Sequence, residues 1–326
     1  MLGDLDFLCA PPPFLVPLRD GTVLAADCGP DPLQLIDPVK DANYRVGPSQ
    51  PADDVVAATL LGDGTVLLVG SEGDARIYDP ASKTVTPTAQ SLVDPQIGVA
   101  VSLRDGRALL IGGLLDATGE KSLAAEIYDP ATAKFSLTGS LKTAREWPNA
   151  TLLQDGKVLV SGGNAPEDGS QLIGRAEIYD PATGQFTNTG SMLTNRVGNS
   201  ATLLGDGRVL MVGGESGDIT TRLKSAEIYD PKTGKFGKTG SARVGHDAPV
   251  AVRLKDGRVL LVGGDGETPS TELYDQETGR FTASGPLVGG VNYSAEAGVL
   301  LQDGRVLVIA SDMTTDAWPA IEVYWP

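Results

Sequence analysis

Seven times along this chain an Asp-Gly pair stands between two runs of strand-forming residues, at Asp20-Gly21, Asp63-Gly64, Asp105-Gly106, Asp155-Gly156, Asp206-Gly207, Asp256-Gly257 and Asp303-Gly304. Successive pairs lie 43, 42, 50, 51, 50 and 47 residues apart. Self-similarity at that period marks an architecture in which one supersecondary unit is copied and each copy buries its apolar face against the next. The repeat therefore predicts a ring of small β-sheets rather than one conventional core.

The unit is legible in residues 200 to 240. Ser200 to Leu204 is a short apolar run, Asp206-Gly207 supplies the positive φ of a tight hairpin, and Arg208 to Val212 is the returning strand. Gly213-Gly214 ends that hairpin and a variable loop follows. Ser225 to Asp230 then alternates Ala226 and Ile228 with Glu227 and Tyr229, as a third strand does. Pro231 stops it, and Thr233-Gly234 turns the chain into a fourth strand carrying Phe236. Four antiparallel strands per unit make a propeller blade.

Aligned on the Asp-Gly pairs, the third strands end in Ile36-Asp37-Pro38, Tyr78-Asp79-Pro80, Tyr128-Asp129-Pro130, Tyr179-Asp180-Pro181, Tyr229-Asp230-Pro231, Tyr274-Asp275-Gln276 and Tyr324-Trp325-Pro326. The double glycine stands at Gly112-Gly113, Gly162-Gly163, Gly213-Gly214 and Gly263-Gly264, and the outer blades lose it. A glycine pair after an apolar strand, then Tyr-Asp, an aromatic fourth strand and a basic residue before the next inner strand resembles the kelch repeat. The whole chain is similar to bacterial kelch propellers and to the central domain of galactose-oxidase-like proteins. The resemblance implies an all-β, seven-bladed propeller occupying residues 1–326 as one domain. It leaves activity open, because kelch proteins include enzymes, sugar binders and protein-docking platforms.

The chain ends straight after the third strand of blade seven, and residues 1–8 fall where a fourth strand belongs. That phase predicts closure of the ring by the N-terminal segment pairing onto blade seven, which would remove an open edge. Cys9 and Cys28 both fall near this closure, either as a disulfide or as two separate buried thiols. No 18-residue apolar run is present, and MLGDLDFLCAPPP lacks the basic start and long apolar segment of a signal peptide. The expectation is a soluble monomer, cytoplasmic as written or secreted if a leader was removed ahead of Met1. The 42 acidic residues against 26 Lys and Arg give a net charge of −16, which opposes binding to nucleic acid or anionic lipid.

Function in such a ring is sought where two loop sets meet, the inter-blade connections and the loops after the double glycine. Ten residues before each Asp-Gly the blades carry Ala10, Asp53, Pro95, Arg145, Arg196, His246 and Tyr293. This slot changes chemistry while the scaffold around it repeats, so it is a candidate ligand-binding ring together with Glu146, Trp147, Asn149, Asn199, Asp247, Glu296 and Asp54. The alternative is that the arginines pair with Glu146 or Asp247 of neighbouring blades and only stitch loops together. The post-glycine loops are longest at 114–123, 164–174 and 215–224, and blade seven adds Trp318. Leu114, Leu115, Leu172, Ile173 and Trp318 either fold over a pocket or cap the blade ends.

Two function classes follow. One is a binding module for a small polar ligand, a peptide or a protein, through Arg145, Arg196, His246, Tyr293, Trp147 and Trp318. The other is a cofactor-free lyase, isomerase or cyclase in which His246, the only histidine, acts as acid or base with Tyr293 as proton donor, Glu296 or Asp53 as orienting carboxylate and Arg196 stabilising negative charge. Copper sites of the galactose-oxidase type need two histidines, which one His cannot supply. No cofactor is expected. An oxygen-only calcium site from Asp53, Asp54 and Glu296 is the remaining metal option.

Overall fold

The computed structural model describes residues 13–26, 33–40, 42–46, 55–93, 98–112, 123–165, 171–217, 221–264, 269–285, 293–312 and 320–324. Every regular element among them is a β-strand. Among the described residues six antiparallel four-stranded sheets, each running from an inner first strand to an outer fourth strand, and one three-stranded sheet follow the chain in order. Each first strand packs beside that of the next blade, and Phe14–Pro17 of blade one packs beside Tyr293–Leu300 of blade seven. The seven sheets thus close a ring. The expected closing strand, residues 1–8, lies outside the described residues, as do Cys9 and Cys28.

The Asp-Gly hairpins differ from the expected turn in one respect. Only the glycine takes positive φ, close to +90° in all seven turns. Leu204 donates to Arg208 O (2.8 Å) and Gly207 to Leu204 O (3.2 Å), a four-residue turn followed by a glycine bulge. The aspartate is selected for its side chain, since Asp206 Oδ1 accepts the amide of Arg208 at 3.0 Å.

The second strands are buried along nearly all of their length, as in Val66–Gly70 and Val209–Val212. The cause is that both faces of every sheet meet a neighbouring blade, so the strand needs no polar side. The apolar clusters accordingly lie between blades. Leu204, Leu210 and Val212 of blade five pack with Val259, Leu261 and Tyr274 of blade six. The seam between the ends of the chain is built likewise, from Leu301, Leu307 and Ile309 with Val23, Ala25 and Ile36.

Polar latches reinforce these contacts. Thr138 Oγ1 meets the Tyr179 hydroxyl of the next blade at 2.9 Å, and Thr88–Tyr128, Thr189–Tyr229 and Thr239–Tyr274 repeat the contact at 2.7, 2.8 and 2.8 Å. Within a blade the tyrosine ring packs on the fourth-strand phenylalanine, with Tyr229 and Phe236 centroids 4.9 Å apart. On the face bearing the Asp-Gly turns, where the residue before the aspartate has a long side chain it reaches round the ring. Arg19 donates to Gly62 O (2.6 Å), Arg104 to Gln154 O (2.6 Å), Gln154 to Gly205 O (3.2 Å) and Gln302 to Arg19 O (3.1 Å).

Candidate functional site

The opposite face carries the two loop sets singled out in the sequence, and they meet edge to edge. Glu146 and Asn164 exchange backbone hydrogen bonds of 3.0 and 2.9 Å, and Val197 and Glu215 exchange bonds of 3.2 and 2.9 Å. This approach is why the second residue of the double glycine lacks a side chain: a Cβ at Gly163 or Gly214 would collide with the carbonyl of Glu146 or Val197. The loops after the pair fold back as short ribbons, Asn164–Ala165 on Gln171–Leu172 and Glu215–Ser216 on Thr221–Arg222.

At the variable slot, the side chains of blades four to six turn into the blade. Arg145 is fully buried. Its Nη2 donates to Glu177 Oε1 at 2.9 Å, and its Nη1 to the carbonyls of Gly162 and Arg175 at 3.0 Å each. Arg196 repeats the arrangement on Glu227 Oε1 (2.9 Å), Gly213 O (2.9 Å) and Ser225 O (3.0 Å). His246 takes the same place in blade six, with Nε2 3.2 Å from Glu272 Oε1. The glutamates stand on the third strands of the same blades, so the partners expected across blades, Glu146 and Asp247, are not the ones engaged. The carboxylate that meets His246 among the described residues is Glu272.

Each glutamate also receives backbone amides from the incoming loop, for instance Lys142 (2.7 Å) and Thr143 (3.2 Å) on Glu177. One carboxylate thus clamps the loop's amides and its cation to the third strand. Burial lowers the pKa of Arg145 and Arg196 from the ordinary guanidinium value, and the glutamates oppose that shift. Burial works to raise the Glu272 pKa, but the His246 bond and the amides of Arg243 and Val244 outweigh it and leave a net lowering. Glu126 of blade three is different. It accepts from the Ser91 hydroxyl and from Leu92 N (2.8 Å), has no cation among the described residues, and is pushed up by burial.

What remains on the surface follows the slot by one and two residues. Trp147, Gly198 and Ala248 occupy equivalent places in consecutive blades and all have positive φ, +50°, +66° and +39°. Trp147 is 52% exposed. A Cβ built on Gly198 would lie 3.7 Å from Asp247 Oδ1, so the carboxylate borders the open floor above Gly198. Asp247 is half-exposed, with Arg222 Nε 3.7 Å away. Glu146 is half-buried beside Trp147.

Of the candidate residues, Glu146, Trp147 and Asp247 are thus left on the face, while Arg145, Arg196, His246 and Asn199 lie within the blades. Asn149 Nδ2 donates to Asn199 O at 2.9 Å, tying the inner edges of blades four and five. Tyr293 and Glu296 fall on the first strand of blade seven, Tyr293–Leu300, at the level of backbone alone. Asp53, Asp54, Leu114, Leu115 and Trp318 lie outside the described residues. Leu172 and Ile173 are buried. Among the described residues no three His, Cys, Asp or Glu side chains stand together as a metal site requires, and no helix is long and apolar enough to cross a membrane.

The Kelch motif model matches residues 196–236, a span that opens on Arg196, includes its partner Glu227 and closes on Phe236. Repeat and ring together define a seven-bladed kelch-type β-propeller. No curated protein matches the sequence. Among solved structures, a fungal alcohol oxidase of the AA5 family in complex with copper superposes with a TM-score of 0.77 at 17% identity, over 99% of this chain and 75% of its own. YjhT superposes with a TM-score of 0.64 at 14% identity, over 85% of this chain and 96% of its own. The copper belongs to that oxidase. Here the single histidine is enclosed on Glu272, and the chain holds no second one for a two-histidine site.

Proposed function

We propose that this propeller is a binding module whose recognition surface is the loop face over blades four to six. Trp147 is its stacking platform, and Glu146 and Asp247 are its acceptors for a small polar or peptidic ligand with a flat apolar side. One observation carries the reading. Trp147 holds a left-handed backbone that costs a non-glycine residue about 1 kcal/mol or more, yet half of its surface is in solvent. Gly198 and Ala248 at the equivalent positions demonstrate that the loop closes without a large side chain. An indole retained against backbone preference and left exposed supports a role in contact with something outside the chain.

The acid–base alternative is less supported, because His246 would first have to leave Glu272 to meet a substrate. The test is a thermal-shift screen of sugars, organic acids, amines and divalent ions on the parent and on Trp147→Gly. The expected result is a ligand that raises the parent's melting temperature and not the variant's, with the unliganded variant at least as stable as the parent. A variant that is clearly less stable, or that responds to the same ligand unchanged, would overturn the reading.

A further inference from the structure

On the Asp-Gly face, three departures from the repeat meet at the seam between blades five and six. The residue before the aspartate is Gly205 in blade five, where five of the other six blades place Arg19, Arg104, Gln154, Lys255 and Gln302. Three residues ahead of the aspartate, blade six has Arg253, where the others have Pro17, Leu60, Ser102, Leu152, Leu203 and Leu300. Gln276 follows Tyr274-Asp275, where the five preceding blades have a proline. A Cβ on Gly205 would lie 3.0 Å from Arg253 Nη2 and 3.2 Å from Gln276 Nε2, so the three stand together. We propose that they form a binding notch for a carboxylate. It lies on the face opposite Trp147 and does not rest on the reading of that residue.

Gly205 answers no demand of the backbone, because its φ is outside the left-handed region. At Gly62, the other glycine in this place, a Cβ would run into the α-carbon of Gly106. At Gly205 the space is taken by two side-chain donors instead. Gly205 N donates to Gln276 Oε1 at 3.1 Å, which fixes the orientation of the amide and leaves Nε2 as a donor without a partner among the described residues. Arg208 Nη2 holds the carbonyl of Gln276 at 3.5 Å. Arg253 is exposed and has no hydrogen bond or ion pair among the described residues. The aspartates of the two adjoining turns are already engaged, Asp206 by Arg208 at 2.7 Å and Asp256 by Arg258 at 2.6 Å.

The donor set selects the ligand. A guanidinium edge beside an amide N–H offers several donors but one positive charge, which matches the two oxygens and single charge of a carboxylate. A phosphate would bring more negative charge to a chain of net charge −16 with no second cation to meet it. Lys255, the next cation along the chain, is committed to the carbonyl of Gln302.

Ligand-observed saturation-transfer NMR on the intact chain tests this, with benzoate as the probe and benzamide as its neutral match at constant ionic strength. Benzoate should bind saturably in the millimolar range and be displaced by acetate, and benzamide should not bind. Arg253→Gln should weaken benzoate about fivefold, the upper range of an exposed charged contact. Gln276→Pro, which restores the residue of the other blades, should weaken it by less. Arg280→Gln, at an exposed arginine on the fourth strand of the same blade, should leave it unchanged. A tripeptide with a free C-terminus that displaces benzoate, where its C-terminal amide does not, would extend the site to chain ends; a peptide that fails would confine it to small acids, and either result keeps the carboxylate. The absence of saturable benzoate binding, binding that survives Arg253→Gln unchanged, or inorganic phosphate competing more strongly than acetate would overturn the assignment.

Discussion

Val46 packs against the cluster that holds Tyr78, and it stands where the other blades place a hydroxyl for that tyrosine. Val46 N donates to Leu33 O just as Thr88 N does to Ala75 O and Thr138 N to Ala125 O, so the positions are equivalent. Thr88 and Thr138 latch the tyrosine of the following blade, and Tyr78 is left with a buried hydroxyl that has no partner. Val46→Thr should restore the latch and stabilise the protein by about 1 kcal/mol, the net worth of one intramolecular hydrogen bond. Urea denaturation measures it. A lowered midpoint would mean that the methyl of Val46 matters more than the missing hydroxyl.

The enclosed ion pairs predict a large contrast with exposed ones. Arg145 and Glu177 are both fully buried, whereas Arg107 and Asp105 are 34% and 44% exposed at 2.7 Å. Arg145→Ala leaves Glu177 buried without its cation and should cost about 3–5 kcal/mol. Arg107→Ala should cost less than about 1 kcal/mol despite the shorter contact. Similar losses in the two variants would contradict the burial assigned to Arg145. In the double variant Arg145→Met, Glu177→Gln much of the stability should return, since no unpaired charge remains.

How much of this was legible beforehand divides along physical lines. The Asp-Gly turns and apolar second strands, repeated seven times, and the Tyr-Asp strand ends, repeated five times, are set by local geometry, and they define the ring. The role of the slot is set by a partner about thirty residues away, which no local pattern displays. The partner was nevertheless in view as the glutamate two residues before Tyr-Asp, at Glu126, Glu177, Glu227 and Glu272. Alternation assigns it to a solvent face, but a blade packed on both sides has none there. Charge matching was the available signal. Arg145, Arg196 and His246, the basic residues of the slot, each face a glutamate of their own blade. Trp147 was in the sequence reading too, but its left-handed backbone is a property only coordinates reveal.

Glu126 should make stability depend on pH. Burial raises its pKa, with the Ser91 and Leu92 bonds opposing, so the folded state holds the proton to higher pH than the unfolded chain does. The sign is a loss of stability as pH rises from the ordinary carboxyl range through the raised folded value, and no penalty below both. Glu126→Gln should raise the melting temperature at pH 7 and leave it nearly unchanged at pH 4. A variant that is destabilised at neutral pH would indicate that the ionised carboxylate is favourable where it stands.

Contact between adjacent blades also depends on a glycine that follows three of the four latch threonines, Thr138, Thr189 and Thr239. Gly190 N donates to Gly234 O at 2.9 Å, and a Cβ on Gly190 would collide with that same carbonyl. Backbone meets backbone here, and neither partner has a side chain that can move aside. Gly190→Ala should therefore push blade four from blade five and cost about 1–3 kcal/mol, the usual range for overpacking. Gly237, on the fourth strand Lys235–Lys238, is the control: nothing lies within 4 Å of its Cβ position and its φ is not in the left-handed region. Gly237→Ala should be neutral or stabilise by up to about 1 kcal/mol through the entropy of the unfolded chain. Thermal unfolding of the two variants side by side separates steric contact between blades from any general intolerance of alanine in these strands. If both lose stability alike, the close approach at Gly190 is not what limits the spacing of the blades.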